Sequence, residues 1–144
     1  MAVNSRHTGL KWNSPSGMNP GKTTILQYRL NAGSTGVTSG DIEKIFKIEA
    51  GNQLLSLDIY VVTAEAAADT IDIGLYAESN DAAIDADGIF DGIVTNPTAG
   101  HMYRSGPLAY APTVDAYVGV LANATLSLCS LIITASVLNT KAVG

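Results

Sequence analysis

Between residues 53 and 77 the chain changes character at every second position. Leu55, Leu57, Ile59 and Val61 are separated by Ser56, Asp58 and Tyr60. After the small and polar stretch Ala64 to Asp69 the rule returns, with Ile71, Ile73 and Leu75 set among Thr70, Asp72 and Gly74. Successive side chains of a β-strand point to opposite faces, so each segment sorts into an aliphatic row and a polar row. Upstream, Ile42, Lys44, Phe46 and Ile48 give a third strand, interrupted by Ile45 and closed by the turn-forming Gly51-Asn52. Glu65-Ala66-Ala67-Ala68 favours helix, but the run is too short to stand alone. The three segments are expected to be consecutive antiparallel strands of one meander, apolar on a single side. A sheet of that kind needs a second sheet over its apolar face, so the fold is expected to be an all-β antiparallel β-sandwich.

The rest of the chain supplies further strands. Residues 25–30 read as the first strand of the body, and 31–40, dense in Gly and Ser, as a loop. Residues 78–88 read as an acidic, solvated loop. Strands are expected at 89–94, within 102–110 around the break Gly106-Pro107, at 115–121, and at 125–137. On residues 115–121, Tyr117 and Gly119 share one face and Val118 and Val120 the other. The last strand is apolar on both faces, so it is expected to be central in its sheet or buried by a second subunit. The total is about eight strands with no helix. The expected organisation is an extended arm at 1–23, built of turn and coil formers such as Asn13-Ser14-Pro15-Ser16-Gly17, and a sandwich domain at 24–144.

At 144 residues one domain is the reasonable prior. A domain of this size buries roughly 68–70% of its unfolded surface, so its core needs no covalent staples. Charged residues are only 15% of the chain, against about 25% in typical proteins. That low charge suggests a surface turned toward other protein. The charge is also unevenly placed. Residues 1–40 carry Arg6, Lys11, Lys22 and Arg29 and no acid; the remainder carries the other four cations and all 13 acids. The chain reads as a basic arm on an acidic body. The first 24 residues hold no apolar core segment, so no secretory signal is expected, and no apolar run is long enough for a membrane helix. Asn123-Ala124-Thr125 matches the glycosylation acceptor pattern but carries no meaning without export.

Motifs for chemistry are sparse. Gly17-Met18-Asn19-Pro20-Gly21-Lys22-Thr23 is one residue short between its glycines for a phosphate-binding loop, and a strand rather than a helix follows it. Asp85, Asp87 and Gly88 resemble part of a calcium loop, but Ala83 and Val94 stand where the helix–loop–helix version needs its acids. No metal site and no cofactor is expected. The single Cys129 lies in an apolar run and reads as a small buried hydrophobe. His7 and His101 are remote from it, so no nucleophile–base pair is visible and the chain reads as no enzyme. Four spread cations make a weak nucleic-acid footprint. Scattered tyrosines offer no sugar-stacking platform. Trp12, alone on an irregular segment, either anchors in a partner's groove or folds back on its own domain.

The segment IFKIEAGNQLLSLDIYVVTAEAAADTIDIGLYAE, followed by Asp87-Gly88 and Asp91-Gly92 and closed by Asp115-Ala116-Tyr117-Val118 and the strand into Leu138, resembles the capsid decoration, or cement, proteins of tailed bacteriophages. The resemblance covers residues 41–138, in strand spacing and a TIDIG-type segment, and leaves the arm outside. It implies a sandwich of jelly-roll type, often trimeric, on the outer surface of an icosahedral head. It implies a virion location after synthesis in the host cytoplasm, with the major capsid protein as partner and neither membrane nor nucleic acid. On that reading Arg6, Lys11, Trp12 and Lys22 of the arm are the capsid contacts. Other readings are a head fibre base, neck or tail component, or a carbohydrate- or calcium-binding sandwich.

Overall fold

The computed structural model describes residues 3–5, 22–108 and 110–140. All regular structure among them is strand: β1 (Val3–Ser5), β2 (Thr23–Asn31), β3 (Ile42–Ile48), β4 (Gln53–Thr63), β5 (Thr70–Ala77), β6 (Ala83–Val94), β7 (Met102–Arg104), β8 (Ala116–Ala122) and β9 (Ser130–Leu138). They form two sheets, one ordered β1-β3-β8-β5-β6 and the other β2-β9-β4-β7. The eight strands from β2 onward pair antiparallel, four to a sheet. Every connection between them changes sheet except the β5–β6 hairpin. This is the strand order of a jelly roll, an antiparallel sandwich that folds hairpins across two layers.

The alternating rows do what their period requires. Leu57, Ile59 and Val61 of β4 and Ile71, Ile73 and Leu75 of β5 are sealed in the core between the sheets. Leu26, Tyr28 and Leu30 of β2 join Ile133, Ala135 and Val137 of β9 from one side, and Val118 and Val120 of β8 close the other. Strand β9 lies between β2 and β4, central in its sheet as expected, with its inward row sealed and its outward residues Ile132, Thr134, Ser136 and Leu138 half-buried.

The expected meander does not form. Strands β3 and β5 share a sheet with β8 between them, and β4 lies in the opposite sheet. Alternation specifies which face a strand buries, and both layers of a sandwich bury the same kind of face. Two bulges also alter the rows. The register of β4 on β9 shifts between Leu54 and Ser56, so Leu54 is in the core and Leu55 is only half-buried. The register of β3 on β8 shifts between Lys44 and Phe46, which puts the interrupting Ile45 into the core beside Phe46.

The acidic stretch 78–88 is shorter as a loop than its composition suggests. Only the turn after Ala77 remains, and residues 83–88 belong to β6. In that turn Asp81 adopts a left-handed backbone with φ 59°, a conformation Asp tolerates better than most residues. The register passes from Ile73↔Phe90 to Leu75↔Asp85, so β6 makes a wide excursion opposite the single residue Gly74. The last strand starts at Ser130 rather than residue 125, and Leu126 in the preceding loop makes an isolated bridge to Val37.

Candidate functional site

Of the four arm residues singled out by sequence, Arg6, Lys11 and Trp12 lie outside the described residues. Lys22 is exposed at the start of β2, and its carbonyl accepts the N–H of Asn139 at 2.9 Å. On the far side of the arm, β1 pairs in parallel with β3 through Val3↔Ile42, Asn4↔Glu43 and Ser5↔Lys44. The arm is therefore tethered at both described ends, at a sheet edge and beside the C-terminal strand.

Val3 lands on a second, smaller apolar cluster on the outer face of the larger sheet, formed by Ile42, Tyr76 and Tyr117 with Leu121 and Ala86. The face exists because neighbouring β5 and β8 carry glycines directly opposite each other, Gly74↔Gly119. A Cβ on Gly119 would stand 2.7 Å from the Tyr76 ring and 2.8 Å from Ile42. The missing side chain thus lets Tyr76 and Tyr117 stack at 5.4 Å with an interplanar angle of 15°. Lys44 places its ammonium 4.8 Å over the Tyr117 ring and 3.5 Å from Asp81. The Tyr117 hydroxyl donates to the same Asp81 at 3.0 Å. Burial first, and then this carboxylate, push the Tyr117 phenol far above its ordinary range. Tyr117→Phe removes one hydrogen bond to a charged acceptor and leaves the stack intact. It is expected to cost about 1.5–3 kcal/mol in urea unfolding; an unchanged midpoint would show that the hydroxyl's bond to Asp81 adds nothing to the fold.

The same end of the sandwich carries an open cleft lined by Glu78, Ser79, Val114 and Asp115. Its carboxylates are engaged within the fold. Glu78 pairs with Lys47 at 3.2 Å, and Asp115 accepts the N–H of Ala50 at 2.9 Å. Above β6, the Tyr110 hydroxyl sits 2.8 Å from the Gly88 carbonyl and 3.0 Å from Asp85, pinning the excursion of that strand. Among the described residues no group of three His, Cys, Asp or Glu is placed to hold a metal ion.

Sequence reasoning missed Glu65. It sits in the β4–β5 connection at 6% exposure, and its carboxylate accepts the N–H groups of Ser127 (3.2 Å), Leu128 (3.0 Å) and Cys129 (2.9 Å). Its own N–H donates to Thr95, so one residue ties three connections at one end of the sandwich. Burial is the largest single influence and raises its pKa. The N–H groups of Cys129, Leu128, Ala66 and Ser127 together outweigh it and hold the carboxyl below its ordinary value. Beside it, desolvation and the Glu65 charge push the Cys129 thiol up to about 12. That keeps the sulfur protonated at neutral pH and without nucleophilic character. His101 lies on the surface with its ring 4.6 Å from that of Tyr103, far in function from either group.

The outer face of the smaller sheet has a different character. In register across it run Arg29, Ile132, Tyr60 and Met102, and the next row holds Gln27, Thr134, Asp58 and Arg104. Tyr60 and Met102 are each 40% exposed, and Ile25 on the same face is 62% exposed. The outer face of the smaller sheet thus carries apolar residues between Arg29 and Arg104, with Asp58 beside Arg104 in the same row.

No family model and no curated protein matches the chain. Its fold does match solved structures. A chain in the capsid of Ralstonia phage GP4 superposes with a TM-score of 0.68 at 15% identity, over 98% of this chain and 100% of that one. A chain from the acidic stable capsid structure of Helicobacter pylori bacteriophage KHP30 gives 0.57 at 11% identity, over 83% and 89%. One from the cyanophage Pam1 capsid asymmetric unit gives 0.54 at 9% identity, over 91% and 94%. The chain shares its sandwich fold, end to end, with small chains found in phage capsid structures.

Proposed function

We propose that the chain is a structural protein of a phage virion that decorates the outer surface of the head and strengthens it by bridging major capsid protein subunits. The observation that carries this reading is the end-to-end fold match to a chain of a phage capsid, complete in both directions. The strand order supports it, since jelly rolls recur in viral shells, and so does the low charge of the chain. The geometry also fits the mechanical task. A rigid sandwich held by two four-stranded body sheets offers faces for several neighbours at once, and each added contact raises the effective concentration of the next. A closed ring of three copies would match a threefold position on a shell. The basic arm, with Arg6, Lys11, Trp12 and Lys22, lies along a neighbouring shell subunit and orders there at an entropic cost.

Two measurements test the proposal. Antibodies against the protein are expected to label the heads of virions made from the genome that encodes it; label on tails or necks alone would overturn the head assignment. Deleting residues 1–22 is expected to leave the sandwich folded, by circular dichroism, while occupancy on purified heads falls by about tenfold or more, the scale on which avidity is lost. Full occupancy without the arm would show that the body makes the contact.

A further inference from the structure

The described chain breaks off and resumes at one end of the sandwich. Strand β1 runs parallel to β3 and stops at Ser5↔Lys44, heading with β3 toward the turn at residues 49–52. The carbonyl of Lys22, where β2 begins, accepts the N–H of Asn139. Thr140 donates its N–H to the Asn52 side chain, in that same turn, at 3.3 Å. The exit at Ser5, the return at Lys22 and the C-terminal departure after Thr140 therefore share one end. Between the exit and the return lie the 16 residues 6–21. Fully extended, 16 residues span about 55 Å. Strand β4, 11 residues long, sets the height of the body at about 36 Å. Running to the opposite end and most of the way back would use the whole length of the arm. None would be left to lie along a second molecule there. An arm that binds a shell needs its own end of the body turned toward that shell.

The open cleft lies on that same end. The Gly51 N–H donates to the Pro112 carbonyl and the Glu78 N–H to the Asp115 carbonyl, each at 2.9 Å, so three connections meet around it. Val114, 50% exposed, gives the cleft an apolar wall. Lys47 neutralises Glu78, whereas Asp115 commits one oxygen to the Ala50 N–H and has no ion pair among the described residues. An apolar wall beside a carboxylate without a cation fits a side chain with an aliphatic stem and a cationic head. We infer that this end of the sandwich faces the shell, and that the cleft takes a lysine or arginine side chain of a major capsid protein subunit. The inference rests on the virion reading and on the arm contact proposed with it. It assigns Leu128, 46% exposed in the connection before β9 at the opposite end, to the side turned away from the shell.

Binding of full-length variants to purified heads that lack the protein tests it, with circular dichroism to check that each variant folds. Val114→Arg fills the cleft and sets like charge against the incoming cation, so affinity is expected to fall by about tenfold or more. Asp115→Asn keeps an acceptor for the Ala50 N–H and removes only the charge. It is expected to weaken binding by about threefold and to flatten its salt dependence. Leu128→Arg is expected to bind as wild type does. Full affinity in both cleft variants, or loss with Leu128→Arg while Val114→Arg binds normally, would overturn the inference and leave the virion reading standing. Trp12, the only tryptophan, checks for a different occupant. A shift of its emission on Val114→Arg in the free protein would show that the arm itself fills the cleft, and would overturn the shell side chain as occupant. Wild type that fails to coat heads would overturn the proposed function, and this inference with it.

Discussion

Replacing Glu65 with glutamine is expected to lower the stability of the folded chain by about 2–3 kcal/mol at neutral pH, the range for hydrogen bonds to a charged group left without that charge. The carboxylate receives three consecutive N–H groups, from Ser127, Leu128 and Cys129, on a residue left only 6% exposed. The three N–H groups converge on one carboxylate oxygen, Oε2, so a carboxamide of the same size can still accept them there but without the charge that strengthens them. Urea unfolding of the two proteins measures the difference. The effect also has a pH signature. Folding lowers this carboxyl's pKa, so the ionised group stabilises the fold fully above its ordinary value of 4.5. The contribution is lost as pH falls below that value and through the depressed one. The gap between wild type and Glu65→Gln should therefore be widest at neutral pH and close on acidification. A gap that is absent at pH 7, or that widens in acid, would show that the three N–H groups find other partners.

The second large effect is expected at Gly74. A Cβ built there would enter the van der Waals envelope of the Asp85 carbonyl oxygen and the Ala86 carbonyl group, both backbone atoms of the β6 excursion. A flexible side chain could move aside at little cost, but strand backbone fixed at both ends of the excursion by its pairing with β5 cannot. Gly74→Ala is expected to destabilise by about 3 kcal/mol or more, at the upper end for overpacking, through a fall in the urea midpoint and loss of soluble protein. Lifting the excursion would also release Ala86 from the cluster around Tyr76 and Tyr117. Gly74→Ala with an unaltered midpoint would mean that β6 sits on β5 more loosely than the packing shows.

Neither position could have been ranked from the sequence. Gly74 falls in an alternating strand where any small residue would satisfy the polar row. Its necessity comes from β6 crossing above it, a relation set by register shifts between strands. Residues 83–94 hid a long strand because that same excursion breaks the period-two pattern that marks one. Glu65, followed by three alanines, reads as a solvated turn. It is buried because connections distant in sequence converge on it, and charge patterning along the chain carries no trace of that. The alternation puts Tyr117 and Gly119 on one face of their strand, and the structure makes that face the outer one. The complete burial of Tyr117 there depends on Tyr76 and Ile42 filling the space the glycine leaves.

By itself the sequence determined the class of fold and the inward rows of β4 from Leu57 onward and of β5, because a strand with one face on the core must alternate. It pointed to β9 as a strand central in its sheet, and the structure places it there, between β2 and β4. Only the tertiary structure decided which strands are neighbours, since hydrogen bonding along a strand is blind to side chains and both layers demand the same pattern. The same three-dimensional pairing set the bulges at Leu54 and Ile45 and the acceptor role of Glu65. Those features arise where segments far apart in the chain meet, and the energy of that meeting is not written in either segment alone.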